Sequence, residues 1–202
     1  MYSRSVIPTG KGFSTFFGYY GLRSRLFKCS SLLWIDPSHV CRRFFYVGGA
    51  EDYYTHQSQK ARDMHNDTGS DLKIPANDGV YSTFIYARQA KNIIDKFALD
   101  HAAQDDETKL FMYLAFQAIH SPDEVPDSYR DQFNNTIPDT PDGVGQHRRI
   151  VAGMINCLDD AIGNVTAALK AANMFDDTII VFTTGTCPSC QTKLGVHCHS
   201  VG

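Results

Sequence analysis

A single histidine stands where an apolar, strand-like run of the sequence ends. The stretch YLAFQAIHSP, residues 113–122, continues an apolar run from Leu110 to Phe116 and reaches His120 just before Pro122. An uninterrupted apolar run is typical of a strand that is buried on both faces of a parallel sheet. Ligands of open α/β sheets bind beyond the carboxyl ends of such strands, which makes His120 a candidate active-site residue. A capping or packing histidine is the alternative that the pattern alone leaves open.

The C-terminal tail, TCPSCQTKLGVHCHSVG, holds the other set of potential metal ligands. The Cys-x-x-Cys pair Cys187 and Cys190 is followed by His197, Cys198 and His199. Zinc ligands must converge from two directions, and nothing around the tail indicates a small domain that would hold the metal. A thioredoxin-type motif opens a helix, whereas this pair follows a predicted strand. We therefore expect neither a structural zinc site nor a redox pair.

Two acidic pairs could suggest acid–base or metal chemistry, but each has a simpler interpretation. Asp159 and Asp160 are neighbours in a predicted helix, so their side chains point in different directions and favour a solvated face. Glu51 and Asp52 lie close to His56 in the loop GAEDYYTH. We expect this second pair to order the loop rather than to bind a metal.

Three sequons bear on the compartment of the protein: NDT at Asn66, NNT at Asn134 and NVT at Asn164. They predict glycosylation and hence passage through the secretory pathway, although so short a pattern also arises by chance. Asn164 is the most informative, because it lies beside the apolar stripe of a predicted helix and not within it. The N-terminus has no apolar core of a signal peptide, so the chain taken literally would stay in the cytosol.

Composition indicates an ordinary globular protein. The chain has 202 residues, of which 43% are apolar and 20% charged, enough for one sizeable domain. A net charge of -3 argues against a nucleic-acid partner. No apolar window reaches the length of a membrane span, so we expect no transmembrane segment.

The predicted elements that must position His120 alternate between helix and strand. YSTFIYARQAKNIIDKF predicts a helix with Ser82 as its N-cap, and RRIVAGMINCLDDAIGNVTAALKAANM predicts a long second helix. Between them lie the strand before His120 and a proline-rich loop, and DTIIVFTT predicts a second buried strand. Strand, helix and strand in this order indicate a right-handed crossover in a mainly parallel sheet. The aromatic and glycine-rich stretch GKGFSTFFGYYG favours a loop.

Several blocks of the sequence resemble the animal arylsulfatases of the B, I and J type, members of the sulfatase family. In chain order they are PTGKGFSTFFGYYG, GAEDYYTH, YSTFIYARQAKNIID, LFMYLAFQAIHSPDEVPDSY and AGMINCLDDAIGNVTAALKAANMFDDTIIVFTT. The resemblance implies an alkaline-phosphatase-like α/β fold, of which this chain would be a fragment of the sulfatase N-terminal domain. It also implies bound calcium, hydrolysis of sulfate esters, a sulfated small molecule or glycosaminoglycan as substrate, and a lysosomal or secreted enzyme.

The resemblance gives His120 a role as a catalytic and substrate-binding residue, since the histidine of the family's Q-x-x-H-x-P stretch contacts the sulfate. The family's nucleophile is a formylglycine made from the cysteine of C-x-P-x-R, a pattern that these 202 residues do not contain. Where the family presents aspartate and asparagine as calcium ligands, this chain has Gly185 and Thr186. The expectation is therefore no metal ligand, no calcium bound by this chain and no turnover by it.

The same comparison divides the chain and leaves two functions open. Residues 1–184 are expected to be a partial sulfatase catalytic domain, with 22–48 an insertion in a loop and 185–202 a divergent tail. One hypothesis is an incompletely represented arylsulfatase, whose full gene product hydrolyses sulfate esters. The other is a non-catalytic truncated isoform that acts as a binding or regulatory protein.

Overall fold

The computed structural model of the protein describes residues 7–20, 40–45, 52–58, 61–62, 64–68, 79–101 and 108–183. The strands are β1 Thr15–Tyr19, β2 Val40–Phe45, β3 Gln57–Ser58, β4 Ala61–Arg62, β5 Met64–Thr68 and β6 Lys109–Leu114. The helices are α1 Ser82–His101, α2 Asp127–Arg130 and α3 Val144–Ala171, with short 3₁₀ helices at Pro8–Lys11 and Asp131–Phe133.

Four of the strands form one mixed sheet in the order β5-β1-β2-β6. β1 runs parallel to β2 and β2 runs parallel to β6, whereas β5 pairs with β1 in the antiparallel sense. β3 and β4 form a separate two-stranded ladder. Most of the sheet is therefore parallel, as predicted, and the carboxyl ends of β1, β2 and β6 lie at one edge.

Both predicted helices are confirmed, and together they cover one face of the sheet. The inner face of α1 packs against β1, β5 and β6 in a core of buried side chains, namely Phe17, Tyr19, Met64, Ile85, Tyr86 and Ile93. Ile94 on the same helix meets Ala168 and Leu169 of α3. Because α1 contacts both the sheet and α3, its first turn has a fixed position relative to the end of β6.

Two strands lie where the sequence predicts loop. Thr15–Tyr19 is β1, because its aromatic residues Phe16, Phe17 and Tyr19 are buried on the pleated sheet, and this burial outweighs the low strand propensity of Gly18. β2 falls within residues 22–48, the segment expected to be an insertion in a loop, and it pairs with both β1 and β6. The rest of 22–48 and the tail 185–202 lie outside the described residues.

The two apolar runs differ from the buried strands that the sequence predicts. β6 exists, but it alternates: Phe111 and Tyr113 are 40% and 47% exposed, so the described helices cover only one of its faces. The run DTIIVFTT forms no strand over its described residues 177–183, and Ile179 and Val181 are 92% and 81% exposed. Apolar sequence permits a strand, but a strand also needs a neighbour to pair with.

Within the described part of the chain, no helix combines the length and the apolar character needed to cross a membrane.

Candidate active site around His120

His120 lies beyond the carboxyl end of β6, in the segment that joins this strand to α2. Its side chain is exposed, and its Nδ1 lies 2.8 Å from the carbonyl oxygen of Ser121. Because a carbonyl oxygen can only accept a hydrogen bond, Nδ1 carries the proton of that bond. Nε2 makes no hydrogen bond to any described residue, so it is the ring nitrogen that can meet a ligand.

The backbone of His120 is held by the hydroxyl of Tyr53. This hydroxyl donates to the His120 carbonyl oxygen at 3.0 Å and accepts from the His120 amide at 3.3 Å. Tyr53 is fully buried. Burial raises the pKa of its phenol well above the ordinary value, and this outweighs the opposite effect of its bond to His120. The hydroxyl therefore keeps its proton and stays a donor.

A second tyrosine holds the same segment at Glu124. The hydroxyl of Tyr81 donates to the Glu124 carbonyl oxygen at 2.8 Å, and Glu124 Oε2 accepts from the amide of Tyr53 at 3.0 Å. The two tyrosine rings stack with centroids 4.9 Å apart and planes 11° apart. Burial raises the pKa of the Glu124 carboxyl, and the negative charge of Asp52 raises it further. Tyr53, Tyr81 and Glu124 are called the loop clamp below.

The start of α1 joins this network through Ser82. Its amide donates to the Tyr53 carbonyl oxygen at 2.8 Å, and its hydroxyl donates to Gln117 Oε1 at 2.9 Å. The predicted N-cap role of Ser82 is thus wrong by one position: α1 begins at Ser82, and the carbonyl of Tyr81 accepts the first helical bond, from Ile85. The Ser82 hydroxyl instead connects α1 to the segment that precedes His120.

Asp52 orders the turn that carries Tyr53. Its Oδ1 accepts from the amides of Tyr54 at 2.9 Å and Thr55 at 2.5 Å. Burial alone would raise the pKa of Asp52, but these hydrogen bonds outweigh it and lower the pKa. At the end of the turn, buried His56 makes a hydrogen bond between its Nδ1 and the Tyr19 hydroxyl at 2.7 Å. The predicted loop-ordering role is confirmed for Asp52, whereas Glu51 lies outside the described residues.

The other residues singled out from the sequence are not brought to this site. Asp159 and Asp160 are exposed on α3, as predicted, and Asp160 accepts a hydrogen bond from Tyr129 at 2.7 Å. The cysteines and histidines of the tail lie outside the described residues. In the part of the chain that the structure describes, no three His, Cys, Asp or Glu side chains could together hold a metal ion.

The loop clamp was not predicted from the sequence. Tyr53 belongs to GAEDYYTH, which indicates only a polar aromatic loop, and 67 residues separate it from His120. The one usable signal is composition, because buried tyrosines need a partner for their hydroxyl groups and two adjacent tyrosines in a polar loop are candidates for such a role.

Comparison with known proteins identifies the family. The model of the Sulfatase family matches residues 5–198. Arylsulfatase J of Mus musculus is 32% identical over 187 residues, which cover 90% of this chain and 24% of that protein. The crystal structure of Ps i-CgsB in complex with k-i-k-neocarrahexaose superposes with a TM-score of 0.55 at 20% identity, over 87% of this chain and 32% of that one. The chain belongs to the sulfatase family and has its alkaline-phosphatase-like α/β fold.

This chain therefore spans about a quarter of the length of the curated relative that it matches.

Proposed function

We propose that the protein to which these residues belong is an arylsulfatase-type hydrolase of sulfate esters, in the lysosome or secreted. Family membership and the similarity to arylsulfatase J support the class of reaction. Sulfated small molecules or glycosaminoglycans are the proposed substrates. The observation that carries the proposal is the state of His120, whose backbone and Nδ1 are both hydrogen-bonded while Nε2 is available at the carboxyl end of β6.

In this proposal, His120 binds the sulfate group through Nε2. Cleavage of a sulfate ester places negative charge on the departing oxygen, and a donor that is already oriented stabilises this charge without reorganisation. Because Nδ1 already donates to Ser121, Nε2 can donate only when the ring is doubly protonated.

The 202 residues are proposed not to turn over a sulfate ester by themselves. They contain no C-x-P-x-R, so the source of the family's formylglycine nucleophile is absent from these 202 residues. The second candidate function is a non-catalytic isoform that binds sulfated ligands or regulates another protein. In both cases His120 is expected to bind sulfate, and the two functions differ in whether a longer gene product hydrolyses the ester.

The proposal is tested by a titration of the purified chain followed by NMR of isotope-labelled histidine rings. Sodium sulfate and 4-nitrophenyl sulfate should shift the His120 ring signals saturably, whereas sodium chloride at the same ionic strength should not. His101 is a matched internal control, since its Nδ1 also lies 2.8 Å from a carbonyl oxygen, that of Phe97, but at the far end of α1.

Two results would contradict the proposal. Equal shifts of the His120 ring signals in chloride and in sulfate would show that His120 is not a sulfate ligand. Release of nitrophenol by the purified chain would show that the 202 residues turn over an ester without C-x-P-x-R.

A further inference from the structure

We propose that Tyr53 is a positioning residue for His120, acting with Tyr81 and Glu124 to hold the segment 120–124 against the end of the sheet. The inference rests on the proposed function for what His120 does, and it adds the residues that set its position. The sequence around His120 contains Glu124, whereas Tyr53 and Tyr81 come from other parts of the chain.

The first step is that one hydroxyl binds both backbone groups of His120. Tyr53 donates to the carbonyl oxygen at 3.0 Å and accepts from the amide at 3.3 Å. These two bonds restrain the backbone on either side of the His120 Cα. The Nδ1 bond to Ser121 then restrains the ring itself. The position of Nε2 is therefore determined by Tyr53 and by the adjoining backbone, and this is what orientation of a donor requires.

The second step is that the segment is also held at Glu124 by the same pair of tyrosines. The Tyr81 hydroxyl donates to the Glu124 carbonyl oxygen, and the Glu124 carboxylate accepts from the amide of Tyr53. The stacked rings are both buried, so neither can shift without displacing the other. Loop segments are commonly mobile, whereas this one is fixed at two points on a packed scaffold.

The third step is that the hydroxyl, and not the ring, carries the positioning effect. Burial keeps the Tyr53 phenol protonated, so it can donate over the whole range in which a histidine titrates. Tyr53→Phe keeps the stacked ring and removes only the hydroxyl. Tyr54→Phe is the matched control: Tyr54 also contacts the Tyr81 ring, with centroids 5.4 Å apart, but no hydrogen bond joins it to the segment 120–124.

The experiment measures hydrogen exchange and sulfate binding of the full 202-residue chain and of both variants. In Tyr53→Phe, the His120 amide should exchange about five- to tenfold faster, which corresponds to the loss of one ordinary hydrogen bond. The affinity for sodium sulfate, read from the His120 ring signals, should fall several-fold. The amide of Ile94, buried in the middle of α1, should exchange at the wild-type rate. Tyr54→Phe should leave all three quantities unchanged.

An unchanged His120 amide in Tyr53→Phe overturns the proposal, and so does equal acceleration at His120 and Ile94, which would indicate general destabilisation. If Tyr53→Phe does not fold, Tyr81→Phe provides the second test, since it removes only the donor to the Glu124 carbonyl. It should accelerate exchange in residues 120–125 and not at Ile94, and no difference between these regions overturns the proposal.

The two proposals fail in different ways. If the wild-type chain binds no sulfate but the exchange results are as expected, the proposed function fails and the positioning of His120 stands. If the wild-type chain binds sulfate and Tyr53→Phe binds it equally well, the positioning role fails and the proposed function stands.

Discussion

The hydroxyl of Ser82 donates a hydrogen bond of 2.9 Å to Oε1 of Gln117, and so joins the first residue of α1 to the segment that leads into His120. Both side chains are buried. When a buried amide oxygen loses its donor, no water molecule takes the donor's place. The bond therefore couples the stability of the first turn of α1 to the order of the segment before His120.

Ser82→Ala is therefore expected to lower the free energy of unfolding by about 1–3 kcal/mol, because Gln117 Oε1 would lose a buried donor. Urea unfolding of the purified chain, followed by circular dichroism, measures this change. Ser128→Ala is the control, since Ser128 is exposed in the short helix α2. Its effect should stay within about 0.5 kcal/mol. Equal effects of the two substitutions would show that the bond to Gln117 does not stabilise the fold.

Glu124→Gln should stabilise the protein more at neutral than at acidic pH. Burial raises the pKa of Glu124, and Asp52 raises it further. A raised pKa means that the folded state binds the proton more tightly, so the resulting stabilisation is full at low pH and is lost as the pH rises through the folded pKa. Glutamine does not ionise and keeps an acceptor for the Tyr53 amide. The difference in unfolding free energy between variant and wild type should increase between about pH 4 and about pH 7.

Asp52→Asn provides the comparison of opposite sign. The amides of Thr55 and Tyr54 outweigh the effect of burial and lower the pKa of Asp52. Its stabilisation is therefore present above the unfolded pKa and is lost as the pH falls through the folded pKa. Asp52→Asn should destabilise the protein more at neutral than at acidic pH. Urea unfolding across the same pH range measures the difference in unfolding free energy between each variant and the wild type. If this difference changed with pH in the same direction for both variants, the opposed pKa shifts would be contradicted.

The helices of this fold could be predicted from the sequence because their signal is local. In α1 the residues Tyr86, Ala90, Ile93 and Phe97 recur with the helical period, and the structure buries all four. The position of His120 also followed from the sequence, since it required only that a strand end before it. Period and order along the chain are sufficient for predictions of this kind.

The remaining features depend on contacts between distant residues. β1 is a strand because the sheet and α1 bury its aromatic side chains, which no local pattern reveals. The bond between Tyr53 and His120 spans 67 residues. Conversely, the run at Ile179 has the local pattern of a strand, yet it is unpaired in the described part of the chain because pairing requires a partner and not only a propensity.

Glycosylation is expected at Asn134 and Asn164 and not at Asn66. The first two side chains are exposed, whereas Asn66 is half-buried in β5, opposite Phe17 of β1. A glycan is bulky and needs a site at the surface of the folded protein. Expression through a secretory pathway, followed by enzymatic deglycosylation and peptide mass spectrometry, reveals each occupied asparagine as an aspartate. Occupancy of Asn66 at the level of Asn164 would be inconsistent with the placement of β5 in the folded sheet.

Aggregation of the isolated chain should depend on the exposed run Ile179–Phe182. Its four consecutive apolar residues are all exposed, and two of them, Ile179 and Val181, are 92% and 81% exposed. Such a segment has high strand propensity, no charge and no proline, a combination that favours pairing between chains. Val181→Lys is therefore expected to lower the rate of aggregation, measured by light scattering at constant protein concentration. Leu99→Lys is the matched control, because Leu99 is similarly exposed, at 79%, but stands alone on α1. If the two substitutions slow aggregation equally, net charge and not the run would be its cause.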